Sequence, residues 1–387
     1  MTTRFAVVRG VARINLPEVR LYSTLQQHGL ETELICSRRA RISSDDVGMP
    51  IHRLPVPALS GRLAPTLAGG YLIGLVSPYR YYHQYLRGFH QAVREVDILC
   101  PVDLGHPTSY QSILERRYGK KVLVQCWDNI PFNWPHDRPL RFHFEAVLDQ
   151  ADHFLALTED ARRTLSAMGV SSLRVSRLNV GLDLDFWRPD PAARSEGGPL
   201  KILFVGRFDW GKGLQALLEA LDLVTVPFEL TIVGTGPERA RLDWLIEQRR
   251  KRSRVRWPDA VHFVGPQYGM DLLRLRQGSD VQVVPSIPTP QWREQISQSL
   301  LEGMACGLPP IASRTGAVRE AVTDGETGLL VPPDDPLDLA AAIDRMAEHP
   351  EERRRFAANG RARMEQDFNL RLQADRLAAI VQSQLLG

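Results

Sequence analysis

Cysteine is scarce in this chain of 387 residues, which has only Cys36, Cys100, Cys126 and Cys306. None forms a Cys-x-x-Cys pair or stands near histidines at zinc spacing, which argues against a disulfide framework and a structural metal. They read as reduced, mostly buried thiols. Long apolar runs are also missing, since no segment approaches the roughly 18 uninterrupted apolar residues that a membrane span needs. The opening "MTTRFAVVRG" has no apolar core of signal-peptide length, so the expectation is a cytoplasmic protein whose membrane contact, if any, is peripheral at the inner face. A formal net charge of +3 is too small for a duplex nucleic-acid binder, and no nucleic-acid partner is expected.

What is present is ordinary globular composition, 43% hydrophobic and 24% charged. At roughly 150 residues per domain the length suggests two domains. Apolar runs at Phe5 to Val8, Leu34 to Cys36, Ile98 to Cys100, Val122 to Cys126 and Phe154 to Leu157 alternate with segments of helical spacing. After the proline- and glycine-rich "DFWRPDPAARSEGGPL", a second series follows at Ile202 to Val205, Leu230 to Val233, His262 to Val264, Val281 to Val284, Pro310 to Ala312 and Gly328 to Val331. Strand–helix alternation of this kind predicts parallel sheets covered by helices. The expected fold is α/β, with two doubly wound Rossmann-like domains facing across a cleft. Their expected bounds are 1–182 and 200–368, with a linker over 183–199 and a helix in 369–387 returning toward the first domain.

In "ILFVGRFDWGKGLQALLEAL" a strand ends at Gly206 and a helix begins near Gly213, with Arg207 and Lys212 between them. Both cations sit by a helix end that is already positive, a conflict that a bound phosphate or diphosphate relieves. The alternative is a solvated turn. In open α/β sheets ligands collect beyond the carboxyl ends of strands, where both this turn and Glu294 fall. Glu294 lies in the irregular "SIPTPQWRE", and Glu302 in a short helix ended by Gly307 and Pro309. Two plain readings compete with a binding role. "SLLE" from Ser299 is a Ser-x-x-Glu capping box that would occupy Glu302, and Glu294 would make a surface ion pair with Arg293 or Arg319.

The Glu-x7-Glu pair followed by "GMACGLPPIAS" and "GETGLLVPPDD" resembles the donor-binding half of family 4 retaining glycosyltransferases, which have the GT-B architecture. "VGRFDWGKG", "LTIVGTGPER", "VHFVGPQ", "VQVVPS" and "GLDLDFWRP" extend the likeness in order over most of Gly181 to Asp335. The resemblance implies that a first, acceptor-binding domain and a second, nucleotide-sugar-binding domain transfer a hexose-type sugar from a nucleotide diphosphate sugar to a hydroxyl acceptor, with retention. It implies that Arg207 and Lys212 neutralise the diphosphate, Glu302 binds the ribose and Glu294 faces the sugar. Gly206 belongs to the same turn. Amides near Gln298 and Ser299 would meet the distal phosphate, while Gly234, Val264, Gly265 and Gln267 would border the base. No cofactor or metal is implied, because the cation pair does that work and "DLD" at Asp183 lies in the linker.

This sequence departs from the family in several places. Gly10 stands alone where the family carries a glycine pair near the phosphates. Gln295, Ile296 and Ser297 replace a glycine-aromatic-glycine beside the sugar. Trp127 takes the place of a histidine, which leaves Asp128 either to orient or deprotonate the acceptor hydroxyl or to cap the next turn with Asn129. His106 is a further acceptor-side candidate or a structural histidine. "YLIGLVSPYRYYHQY" from Tyr71, with Arg80 and Arg87, reads either as a helix on the first sheet or as an acceptor wall or peripheral membrane contact. The arginine-rich "RRKRSRVR" from Arg249 reads as a solvated helix end or a lipid-docking patch. Nucleotide-sugar epimerization and non-catalytic nucleotide-sugar binding are alternatives to transfer. A dinucleotide oxidoreductase is weakly supported, since "GTGPER" lacks the last glycine of the fingerprint.

Overall fold

The computed structural model describes residues 2–10, 14, 16–56, 85–133, 138–193, 197–251 and 257–387. The chain forms two compact units, Met1–Gly181 together with Leu370–Gly387, and Leu182–Asn369. Each is a parallel sheet with helices between its strands.

The first sheet contains β1 (Arg4–Arg9), β2 (Glu31–Ser37), β3 (Ile51–Leu54), β4 (Ile98–Pro101), β5 (Lys121–Cys126), β6 (His153–Ala156) and β7 (Val175–Arg177) in the order 3-2-1-4-5-6-7. Along β1, Phe5 and Val7 join a core that contains Tyr22 and Leu25, while Ala6 and Val8 join another that contains Phe89 and Val93. Both faces are covered, which explains why the central strands read as uninterrupted apolar runs. β3 and β7 escape that signal. As "IHRL" and "VSR" they are the two edge strands, only partly buried or exposed, and need no apolar run.

The second sheet contains β8 (Leu200–Val205), β9 (Phe228–Val233), β10 (Val261–Gly265), β11 (Val281–Val284), β12 (Pro310–Ser313) and β13 (Leu329–Val331) in the order 10-9-8-11-12-13. On one face Ile202, Phe204, Leu230 and Ile232 pack with Leu217, Leu221, Ile343 and Phe356. On the other, Gln282 of β11 donates to the Leu300 carbonyl of the helix Gln298–Ala305 at 2.8 Å. Gly303 permits that approach, since a Cβ there would lie 2.0 Å from the Gln282 Oε1. The chain moves from β8 outward to β9 and β10, then returns to the other side of β8 to lay down β11. The carboxyl ends of β8 and β11 are therefore the switch point, where a crevice forms between diverging connections.

The 183–199 stretch, expected as a linker, clusters with the second unit. Leu184 and Trp187 are buried, and Arg361 donates to the Trp187 carbonyl at 2.7 Å. The Asp183 carboxylate accepts the amides of Asp185 and Phe186, an ordinary turn cap. Residues 370–387 lie on the first unit, where Leu377 and Val381 are fully buried against its core. Truncating such a side chain leaves a cavity that costs about 2–5 kcal/mol. Leu377→Ala is therefore expected to speed hydrogen exchange of the β1 and β2 amides while leaving those of β8 and β9 unchanged.

Candidate functional site

At the ends of β8 and β11 the second unit has a cavity of about 250 Å³ whose wall includes Gly206, Lys212, Ser286, Glu294, Ile296, Ser297, Gln298 and Ser299. Its polar centre is Glu294, 4% exposed, whose Oε2 accepts the Lys212 ammonium at 2.7 Å and the Ser286 hydroxyl at 2.6 Å. A carboxylate taken out of water needs such a counter-charge. The expected alternative, a surface pair with Arg293 or Arg319, is thus corrected: Glu294 is buried and pairs with Lys212. The Lys212 ammonium also lies 5.1 Å from the centre of the Trp292 ring. It carries three donors, of which the Glu294 bond uses one.

Backbone crowding holds this pair in place. Gly213 has φ 69°, and a Cβ there would sit 1.8 Å from the Pro285 carbonyl oxygen. Gly316 has φ 51°, and a Cβ there would lie 1.9 Å from the Glu294 carbonyl oxygen. That oxygen accepts the Ala317 amide at 3.0 Å. Both positions need a residue without a side chain, for conformation and for space.

Arg207 stands apart from Lys212. It is exposed, 2.6 Å from Asp209, and does not line the cavity. The next residue, Phe208, takes the inward position and is 1% exposed in the core, so Arg207 turns outward. The helix Leu214–Leu221 begins after Gly213, as the sequence suggests, but its start is packed under Pro285 and Ile287. The helix end at the cavity is that of Gln298–Ala305, whose first residues form part of the wall and whose dipole is positive there.

That helix is capped by Ser297, whose hydroxyl accepts the Leu300 amide. The expected capping box from Ser299 is therefore corrected, because the helix starts earlier and Ser299 falls within its first turn. Glu302 is left for other partners: its Oε2 accepts from Arg276 at 2.7 Å and its Oε1 from Gln298 at 2.8 Å. Burial pushes the Glu302 carboxyl above its ordinary range, opposed by Arg276 and by both hydrogen bonds. Arg276 was missed from the sequence. Its spacing from Leu272 and Leu273 places it on the buried face of its helix, a signal that could have found it.

The residues expected near the base lie together at the ends of β9 and β10. Gly234 donates its amide to the Gly265 carbonyl at 2.9 Å, and the Gln267 side chain donates to the Val264 carbonyl at 2.9 Å. Gly234 also packs on the first turn, since a Cβ there would come 1.9 Å from the Gly206 oxygen. Gln295 is half-buried between Glu294 and Ile296.

In the first unit Gly10 is buried just beyond β1. Its neighbour Arg9 is buried and bonded to Glu18 at 2.5 Å, Gln125 at 2.8 Å and the Cys100 carbonyl at 3.0 Å. A charged residue closing the apolar run of β1 was the overlooked sign of this network. After the adjacent strands β4 and β5, two carboxylates clasp each other's loops. Asp103, at φ 51°, accepts the Trp127 amide at 2.7 Å, and Asp128 accepts the Leu104 amide. Burial pushes both carboxyls up, and Asp128 raises Asp103 further. Asn129 is buried next to them. His106 precedes the helix Pro107–Leu114, and burial, with a smaller push from Arg9, lowers it to about 4.

Among the described residues, no helix is long and apolar enough to cross a membrane and no cluster of three or more His, Cys, Asp or Glu could hold a metal. Residues 71–84 of the tyrosine-rich stretch and 252–256 of the basic stretch lie outside the described residues. Arg249 is buried on Asp222 at 2.9 Å.

Two Rossmann-like units, each a parallel sheet wound in both directions from its first strand, are the architecture of GT-B proteins. The chain belongs to the family 4 type of GT-B glycosyltransferases: residues 19–181 match the glycosyl transferase 4-like domain, and residues 185–363 match glycosyl transferases group 1. Glycogen synthase of Mycobacterium tuberculosis is 34% identical over 228 residues, 58% of this chain and 52% of that protein. D-inositol 3-phosphate glycosyltransferase 2 of Catenulispora acidiphila is 33% identical over 229 residues, 56% of this chain and 52% of its own length. The matched stretch thus spans about half the length of these curated relatives. The crystal structure of Anabaena HepE in complex with UDP has the same fold, with TM-score 0.78 and 16% identity over 98% of this chain and 100% of that one.

A histidine held neutral in the fold costs stability in acid. Between about pH 6.5 and 4 the unfolded chain protonates His106 while the native one does not, so stability falls as pH falls. His106→Asn puts a non-titrating residue favoured at helix starts in this position and is expected to flatten this dependence by up to about 1.4 kcal/mol per pH unit. Urea unfolding of both proteins at several pH values measures the difference.

Proposed function

We propose that this protein transfers a hexose-type sugar from a nucleoside diphosphate sugar to a hydroxyl acceptor, with retention of anomeric configuration. The observation that supports it is the cavity at the β8–β11 switch point, where the Lys212 ammonium and the start of the helix Gln298–Ala305 lie beside a buried carboxylate. Its similarity to relatives named glycogen synthase and D-inositol 3-phosphate glycosyltransferase, and to a neighbour crystallised with UDP and with UDP-glucose, points the same way.

In this reading the diphosphate takes the place of part of the Glu294 partnership on Lys212 and accepts amides at Gln298 and Ser299. As the bond from the sugar C1 to the diphosphate oxygen stretches, positive charge develops on the ring and negative charge on the leaving oxygens. Lys212 and the helix end are already oriented to stabilise the latter, so the proposal assigns no metal or cofactor. Glu294, relieved of part of its ion pair, faces the sugar hydroxyls with Gln295, Ile296 and Ser297 nearby. Arg207 reaches the phosphates by swinging off Asp209. Glu302 accepts from the ribose, and Gly234, Val264, Gly265 and Gln267 border the base. In the first unit Gly10 is a candidate donor-binding residue, Asp128 receives the acceptor proton, and Trp127, Asn129 and His106 belong to the acceptor-binding residues. The enzyme works in the cytoplasm, at the inner face of the membrane when the acceptor is a lipid headgroup.

Thermal-shift titration with uridine, guanosine and adenosine diphosphates, then with their sugars, is expected to raise Tm with one base preferred. Lys212→Ala removes a fixed donor and is expected to lower turnover about 10²- to 10³-fold with the fold intact. Near-normal turnover by that variant, or no shift with any nucleotide, would contradict the proposal.

A further inference from the structure

Arg276 has no exposed surface, and its guanidinium makes a compact set of contacts within the second unit. Nη2 donates to Glu302 at 2.7 Å and reaches the Ser299 hydroxyl at 3.4 Å, while Nη1 donates to the Ser299 carbonyl at 2.9 Å. The Trp187 ring lies 5.2 Å from the guanidinium carbon. The Nε has no hydrogen-bond partner. Burying a guanidinium is costly, and a buried ion pair of this kind contributes little net stability compared with apolar side chains of the same volume. Its value lies in what it does to Glu302.

An ionised carboxylate is an acceptor only, with room for about four hydrogen bonds. Arg276 and Gln298 take one on each Glu302 oxygen, which leaves one further acceptor position on each. Two acceptors on one carboxylate match the two adjacent hydroxyls of a ribose, both of them donors. Burial by itself would favour the protonated acid, which offers a donor in place of one acceptor and matches the diol less well. Arg276 opposes that change.

We propose that Arg276 is a positioning residue that keeps the Glu302 carboxylate a pure hydrogen-bond acceptor, and so makes the cavity select ribonucleotides over 2′-deoxyribonucleotides. This rests on the reading of the cavity as a nucleoside diphosphate site, and it deepens that reading by assigning the pentose preference to a residue that touches no ligand itself. A buried acceptor that loses its donor is poorly compensated, so a missing 2′-hydroxyl is felt as lost affinity.

The test is calorimetric titration of the intact chain with the tightest-binding of uridine, guanosine and adenosine diphosphates, with its 2′-deoxy counterpart, and with inorganic pyrophosphate. The wild type is expected to prefer the ribonucleotide on the order of 10- to 100-fold. Arg276→Met is expected to reduce that ratio to within about threefold while leaving pyrophosphate affinity nearly unchanged. Arg276→Lys, which keeps a cation beside Glu302, restores most of it. If Arg276→Met does not fold, Arg276→Gln, which keeps a hydrogen-bond donor beside Glu302 but no charge, should show the same loss. An unchanged ratio in either variant overturns the proposal, as does a parallel loss of pyrophosphate affinity, which marks general damage to the cavity. A wild type that binds none of the three diphosphates overturns the reading beneath it, a result distinct from tight binding without pentose preference.

Discussion

Lys212 and Glu294 are 82 residues apart in sequence and 2.7 Å apart in space, and both have largely left water to meet. Removing either partner of a buried pair, the ammonium packed on Trp292 or the carboxylate, costs about 3–5 kcal/mol. The pair exists because β8 and β11 are neighbours, although β9 and β10 come between them in the chain. Closing the distance requires Gly213 and Gly316 at points where any side chain would strike backbone oxygen. The parallel sheet, the two glycines and the ion pair are thus mutually dependent.

Two acidic residues eight positions apart have become different groups. Glu294 sits on an irregular segment among a lysine, a serine and the cavity. Glu302 sits one helical turn inward from the cavity wall, fixed on one oxygen by Arg276 and on the other by Gln298. The first is paired with a lysine that itself lines the cavity. The second holds a guanidinium that has no other counter-charge among its hydrogen-bond partners.

The central strands were legible because they are buried on both faces, which leaves continuous apolar runs in the sequence. β3 and β7 were not, since an edge position removes the need for such runs. Much of the cavity wall at the β8–β11 switch point is made of residues the motifs single out: Gly206, Lys212, Glu294 and the segment Ile296 to Ser299 come together there. Orientation was harder. Nothing local tells that Phe208 claims the interior and turns Arg207 out, or that Ser297 rather than Ser299 caps the helix, because both outcomes are decided by packing across the sheet. Ser286 and Arg276 were overlooked for the same reason, their roles being defined by partners distant in sequence.

The chain leaves the first unit after Gly181, completes the second, and returns at Leu370 to add a helix to the first. Gly181 packs against Leu370, and Leu182 bridges Asn369, so departure and return lie side by side. The second unit is therefore a nested insert, contiguous in the chain, while its host is split. During synthesis on a ribosome the insert has all its strands and helices in hand before the host receives the helix that covers Leu25 and Tyr22. The order of translation and the order of maturation run opposite ways here: the half that emerges first is the half that finishes last.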